Sequence, residues 1–428
     1  MLTSILKSPL ARNAAWMFVG QGLRLVLQAF YFIEIARSLG VSNYGAFVGV
    51  VSLVGIFFPF GGMGSGSLLV QNVAREPDQF RKYWGKALAT TTTFSSILLV
   101  VVLLVSSFAL PRSIPILLVF LVAASDLFGL NIITISGQAF QVSEQLNWTA
   151  SLNVMISLFR LAGAVALAAV YTHPSALQWG YIYCGSTAVS IIVSVLLVSK
   201  KLGAPQLTWR RSMRELREGF YFSAGLSSQT IYNDIDKTML ARMGTLDATG
   251  IYGAAYRIID VSFSPVSALL AATYPSFFRR GARGISSNLT YAGSLLPRAL
   301  GYTALACICL LLGAGIIPRI LGPEYARSTE ALRWLSVLPM LKAVHYFLSD
   351  ALTGAGHQVV RTAIQVGVAI FNVLLNLWLI PAYSWRGAAW SSIASDALLA
   401  CGVGTAAFIL LRRSQNVLAK VTASAESD

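Results

Sequence analysis

Charge is scarce in this sequence. Asp, Glu, Lys and Arg make up 11% of its 428 residues, against about 25% in soluble globular chains, which excludes a water-exposed surface over most of the chain. Cysteine is sparser still. Cys184, Cys307, Cys309 and Cys401 fall inside apolar runs without metal-ligand spacing, which excludes a disulfide framework or zinc centre and predicts buried packing roles. No Walker motif is present, so the energy source is expected to be an ion gradient, the membrane potential or substrate flux. GGMGSGS at 61–67 has the glycines of a phosphate loop but neither the following Lys nor a preceding strand, and reads as helix packing and flexibility. The outward loops are too short to carry the acid, base or metal-binding residues of a ligase, polymerase or lipid-linked glycosyltransferase. The chain is therefore expected not to be an enzyme and to need no cofactor beyond a coupling Na⁺ or H⁺.

What fills the chain is apolar sequence, 56% of it. Runs of about 20 residues, each long enough to cross about 30 Å of hydrocarbon as helix, recur throughout. They predict an all-α polytopic membrane protein with twelve transmembrane helices: 13–36, 44–72, 84–110, 114–136, 147–171, 176–199, 219–243, 250–278, 290–317, 327–352, 359–382 and 387–411. The first run is longer than a signal-peptide core, lacks a small-residue cleavage site and leads directly into a second span, so it is expected to be retained.

Lys and Arg number 32 against 17 Asp and Glu, a formal charge of +15. In the twelve-span arrangement most of this excess falls on one side, including Lys7, Arg12, Arg75, Arg81, Lys82, Lys86, the run from Lys200 to Arg217, Arg279, Arg280, Arg283, Arg298, Arg361, Arg412 and Arg413. That asymmetry predicts cytoplasmic termini. It also accounts for the charge as topology, with no folded basic domain for nucleic acid to bind.

The one substantial segment between spans, KKLGAPQLTWRRSMRELREG, sets Trp209, Met213 and Leu216 against a basic face. It is either an interfacial helix on an anionic membrane surface or a plain tether. The expected organisation is an N-terminal six-helix bundle at 1–199, a basic cytoplasmic linker at 200–218, a C-terminal six-helix bundle at 219–411 and a cytoplasmic tail at 412–428. The two halves look alike. Ala36, Arg37, Gly40, Tyr44, Gly45 and Pro59 match Ala241, Arg242, Gly244, Tyr252, Gly253 and Pro265, and NVMISLFRLAGAVAL aligns with QVGVAIFNVLLNLWL. Six spans per half make the repeats parallel, a transporter architecture that would seat a substrate between lobes near the midplane.

Within the spans lie Arg24, Arg160, Arg257 and Lys342, where a central Arg or Lys costs about 2.5–3.5 kcal/mol on insertion scales. Three-four spacing puts Gln21, Arg24, Gln28 and Tyr31 on one helix face, Asn153, Ser157 and Arg160 on another, and Lys342, Tyr346 and Ser349 on a third. Such faces would line a wet, cationic cavity suited to phosphate or pyrophosphate, whose oxygens match the guanidinium fork. The alternative is pairing between helices, for which Asp126, Asp260 and Asp350 are available, with Arg257 and Asp260 three apart on one helix.

Across the repeat, Arg24 falls opposite Gln229 and Arg160 opposite Asn372. In place of those cations the second half offers Gln229, Asn233 and Asp236 on helix seven and Asn372 with Asn376 on helix eleven. One carboxylate with neutral oxygens suits Na⁺ or H⁺ coupling. The alternative is that Asp236 neutralises Lys237 and the asparagines bond across helices. Asp234 and Asp396 are secondary candidates.

ARSLGVSNYGAFVGVVSLV, GMGSGSLLVQNVAR, DIDKTMLARMGTLDATGIYGAAYRI and NVLLNLWLIPAYSWRGAAWSSIAS, in this order and spacing, resemble the polysaccharide-biosynthesis (O-antigen) flippases of Wzx type in the MATE-like MOP superfamily. The resemblance implies two six-helix bundles forming a V-shaped, multi-pass transporter of the bacterial inner membrane. Such a transporter would move undecaprenyl-pyrophosphate-linked oligosaccharide outward for O-antigen, capsule or exopolysaccharide synthesis by alternating access. Its partners would be the lipid-linked oligosaccharide, membrane lipids, and a polysaccharide polymerase with its chain-length regulator. The family's cavity cations would correspond to Arg24, Arg160 and Arg257, and its helix-seven acid to Asp236. By likeness to lipid II flippases, a sodium site would fall on Asp236, Asn372 and Asn376, although an acid of the family's helix eleven is Asn376 here. A MATE-type drug or cation exporter, a lipid II flippase and a non-transporting scaffold of a glycan-assembly complex are the alternatives.

Overall fold

The structure is a computed structural model that describes residues 9–206 and 213–425; these are helical almost throughout, and no strand occurs among them. In chain order the helices are α1 (Pro9–Gly62), α2 (Ser65–Arg75), α3 (Phe80–Ala109), α4 (Ile116–Val142), α5 (Leu146–Val170), α6 (Ala176–Lys201) and α7 (Met213–Met243). They continue as α8 (Leu246–Gly281), α9 (Ile285–Gly313), α10 (Ile317–Leu321), α11 (Ser328–Leu335), α12 (Leu338–Gly354), α13 (Gln358–Tyr383) and α14 (Trp385–Ala425). The chain is a multi-pass membrane protein. Nine stretches among the described residues are long and apolar enough to cross a membrane, and the first, Val19–Arg75, contains the first two expected spans. The remaining two expected spans fall on α7, whose Gln229, Asn233, Asp234, Asp236 and Lys237 lower its hydropathy, and on α11 with α12, where the chain turns between Leu335 and Leu338.

Spans one and two are joined without a loop. α1 turns at Gly40, whose φ of 70° belongs to the left-handed region that a side chain resists. The next residue, Val41, donates its N–H to Glu324 Oε2 at 3.1 Å, so a carboxylate caps the helix that restarts there. Span two is itself interrupted. Met63 and Gly64 take φ of 42° and 66° between α1 and α2, so the GGMGSGS stretch is a helix break rather than continuous packing helix. Span ten, expected as one helix over 327–352, is likewise two pieces, α11 and α12.

Two compact units form. The first comprises residues 1–250 with 320–324, the second 251–319 with 325–428. In the first, Leu69, Phe80, Trp84, Phe140, Leu152 and Val198 make a buried core. Ser223 and Ser227 of α7 donate to the Pro59 and Ile56 carbonyls of α1 at 2.8 and 2.7 Å, where proline interrupts the helical ladder. Gly45 and Gly250 let two helices meet backbone to backbone: a Cβ on Gly45 would overlap the Leu246 carbonyl, and one on Gly250 the Val41 carbonyl. In the second unit Phe263, Phe277, Leu295, Phe347 and Ala351 form the core.

Each unit also exposes large apolar side chains, such as Phe108 and Ile192 in the first and Leu312 and Trp378 in the second. Apolar side chains on the outside of helices match a hydrocarbon solvent, in which hydrogen bonds are satisfied within each helix. Cys309 and Cys401 share this outward position and Cys184 and Cys307 are half-buried, so the expectation of four buried cysteines is corrected: Cβ direction on an apolar helix leads to lipid as readily as to core. The linker's Trp209 lies outside the described residues. Met213 is exposed at the start of α7, and Leu216 is half-buried.

Candidate functional site

The first unit gathers its polar side chains around Arg160. α4 contains a π-helical stretch, Ala124–Leu130, that carries Asp126. Within this wider turn the Leu127 carbonyl accepts from Ser95 Oγ at 2.6 Å and from Asn131 Nδ2 at 2.9 Å. Asp126 Oδ1 accepts from the Tyr183 hydroxyl at 2.8 Å and lies 3.4 Å from Arg160 Nη2. The same Nη2 reaches Thr187 Oγ1 at 3.4 Å, and Thr187 in turn accepts from Ser125 at 2.8 Å. The guanidinium carbon sits 3.9 Å from the centre of the Tyr183 ring, a desolvated cation–π contact. Arg160 Nε is buried and makes no hydrogen bond among the described residues.

Aromatic rings carry this cluster to α1. Tyr183 packs on Trp179 at 5.8 Å between centroids, and Trp179 on Tyr31 at 5.6 Å. Tyr31 lies one turn beyond Gln28 and two beyond Arg24, both half-buried, so the polar faces expected on spans one and five converge through Trp179 and Tyr183. The backbones meet closely: a Cβ on Gly20 would lie 2.7 Å from Ala150 Cβ of α5.

The cations of the second unit are placed differently. Lys342 is buried on α12, hydrogen-bonds the Tyr256 hydroxyl at 3.0 Å and lies 3.8 Å from Asp260 Oδ1. Arg257 is half-buried on α8 beside Tyr256. Two of the three carboxylates named as possible partners therefore approach site cations, Asp126 with Arg160 and Asp260 with Lys342, whereas Asp350 pairs with Arg361 at 3.7 Å. The first two contacts, at 3.4 and 3.8 Å, are long beside the roughly 2.7–2.9 Å of a tight charge-assisted bond.

The ion-coupling candidates divide between the units. In the first, Asp236 is fully buried and accepts from the Lys237 backbone N–H at 2.8 Å. The Lys237 ammonium is 2.6 Å from Asp234 and 3.8 Å from Asp236, so Asp234 is its nearer counterion. In the second, Asn376 donates to Asn372 Oδ1 at 2.9 Å, Asn372 donates to Ser395 at 2.9 Å, and Ser391 donates to Asn376 Oδ1. All four side chains are buried, and they stitch α13 to α14. Each amide oxygen has accepted one bond and keeps one lone pair.

Several participants escaped the sequence reading: Tyr183, Trp179 and Thr187 in the first unit, Tyr256, Ser391, Ser395 and His345 in the second. A signal for span six was present. Tyr183, Thr187, Ser190 and Ser194 recur at helical spacing and are all buried, a polar stripe on an apolar helix.

Residues 10–280 match the family described as polysaccharide biosynthesis protein. No curated protein matches the chain. Among solved structures, an inward-facing MATE family multidrug resistance transporter of the MOP superfamily superposes with TM-score 0.71 at 15% identity, covering 93% of this chain and 96% of that one. The lipid II flippase MurJ in an inward closed conformation gives 0.73 at 11% identity, covering 91% and 86%. A MOP superfamily transporter from Pyrococcus furiosus, for which reversed binding-pocket polarity suggests a different function, gives 0.62 at 14% identity, covering 94% and 96%. The chain thus shares the fold of these transporters, and by the match over most of its length it belongs to the polysaccharide biosynthesis protein family.

Proposed function

We propose that this protein is a flippase that moves undecaprenyl-pyrophosphate-linked oligosaccharide across the bacterial inner membrane by alternating access, with both termini cytoplasmic and no enzymatic step. Family membership and the transporter fold support the general activity. The observation that carries the substrate class is Arg160: a guanidinium inside a spanning helix, loosely held by Asp126 and with an Nε that makes no hydrogen bond among the described residues. An intramembrane cation kept at such expense points to an anionic ligand, and a fork with open donors fits pyrophosphate oxygens. Arg24 and Gln28 continue the polar face in the first unit; Arg257 and Lys342 are proposed as the substrate-facing cations of the second. Asp236 with Asp234, and Asn372 with Asn376, are proposed as the ion-coupling groups of their respective units.

The test is surface-glycan export in a flippase-null strain complemented with wild type, Arg24→Ala, Arg160→Ala or Asp236→Asn at matched membrane abundance. Rescue by wild type and loss in the three variants is expected. Full rescue by every variant would overturn the residue assignment, and failure of wild type there with rescue of a strain lacking lipid II export would move the substrate to lipid II.

A further inference from the structure

Helix α12 carries a polar stripe that the proposed cargo site does not use. Lys342, His345, Ser349 and Thr353 recur at helical spacing, all buried, along about 16 Å of the helix. At the middle of it, His345 Nε2 lies 3.3 Å from Asp396 Oδ1 of α14. His345 is fully buried and Asp396 is 4% exposed. The His345 ring also lies against Tyr346, 4.4 Å between centroids and tilted by 41°. Ser349 Oγ, one turn along, is buried and makes no hydrogen bond among the described residues, so polar capacity continues past the pair.

Several charged and titratable groups on the surrounding helices have partners of their own or are exposed. Lys342 is turned to Tyr256 and Asp260, and Arg361 of α13 is turned to Asp350 and Thr353. Arg386 of α14 forms a bidentate pair with Glu330. Of the α8 tyrosines, Tyr252 bonds Ser392 and Tyr256 bonds Lys342. On α9, Tyr302 donates to the Ser262 carbonyl and Arg298 is exposed. Among the described residues, His345 lies within ion-pair distance of the Asp396 carboxylate.

We propose that His345 and Asp396 form a proton-binding site of the second unit, and, resting on the flippase reading, that its loading and release accompany the transport cycle. With imidazole neutral and carboxylate ionised the pair carries one net negative charge inside the membrane-spanning bundle, where an isolated charge is disfavoured by several kcal/mol. A proton from water adds to the neutral imidazole, the resulting imidazolium lies beside Oδ1, and the pair becomes net neutral. Release returns that proton to water and restores the negative charge. Imidazole is the side chain whose ordinary titration falls near pH 6.5, so loading and release both lie within reach of a cellular proton gradient. Because the partners sit on different helices, loading ties α12 to α14 and release loosens them.

The chain has three histidines, His173, His345 and His357, so histidine-selective ¹⁵N NMR of the full chain in lipid nanodiscs reads the site directly, with His345→Gln identifying its signal. A pH-dependent change of the His345 signal, altered in Asp396→Asn, is expected. A His345 signal that stays in one state throughout, or that titrates identically in Asp396→Asn, would overturn the site. In the export strain both variants are expected to lose glycan export at wild-type abundance; full export at every external pH would overturn its part in transport. The NMR involves no glycan. Failure of wild type to export therefore counts against the flippase reading while the titration still decides the proton site.

Discussion

Arg160 and Tyr183 lie face to charge, 3.9 Å apart, while the Tyr183 hydroxyl donates at 2.8 Å to the carboxylate that balances the arginine. One tyrosine thus serves both members of the ion pair. Removing Arg160 strands Asp126 in an apolar interior, and losing half of a buried pair typically costs about 3–5 kcal/mol. Arg160→Ala is expected to lower thermal stability in detergent by that order, and Asp126→Asn with Arg160→Gln to recover much of it. Export should stay lost in the double variant, because its stability is restored without its cation. Recovery of export together with stability would make Arg160 a structural residue only.

Gly40 is expected to resist substitution for two separable reasons. Its positive-φ, extended-ψ backbone disfavours a side chain by about 1–3 kcal/mol, and a Cβ would lie 2.9 Å from Glu324 Oε2. Gly40→Ala should therefore destabilise more in wild type than in Glu324→Ala, where the crowding is relieved but the backbone strain stays. A thermal-shift double-mutant cycle measures the difference; equal effects would refute the carboxylate cap.

Gly45→Ala and Gly250→Ala each drive a Cβ into a backbone carbonyl, which cannot swing aside as a side chain can. Both variants are expected to lose membrane abundance on an immunoblot. Gly22→Ala, on α1 with open space around it, is the matched control and should accumulate normally. Normal accumulation of Gly45→Ala would mean that the two helices do not approach in this way.

Asn372 and Asn376 share a hydrogen bond, so their alanine substitutions should not add. Intramembrane hydrogen bonds average about 0.6 kcal/mol and reach about 1.7. Each single variant is expected within that range, with the double less destabilised than the sum. Strict additivity in thermal unfolding would argue that the Asn376–Asn372 bond is not formed.

Apolar runs made the membrane class and the helices of all twelve expected spans legible, because a run of apolar residues constrains length and environment at once. The apolar signal is weakest on α7 and α12, where Asp236, Lys237, Lys342 and His345 are buried. The polar faces of spans one and five were readable from spacing. What joins them, Trp179 and Tyr183, was not, because an aromatic residue in a span looks the same facing lipid as facing a cation. The breaks at Gly40 and Met63–Gly64 had glycines to mark them, whereas the π turn at Asp126 leaves no local signature: it is held by Ser95 of another helix.

That turn has a mechanical meaning. Its wider winding stores surplus chain within α4, and a one-residue slip back to α geometry would rotate the helix beyond it by about 100° and shift it about 1.5 Å along its axis. Ser95 and Asn131 already hold the Leu127 carbonyl by side-chain donors, and such donors can pass from one carbonyl to its neighbour. α4 therefore carries one surplus residue beside Asp126, held in register by Ser95 and Asn131.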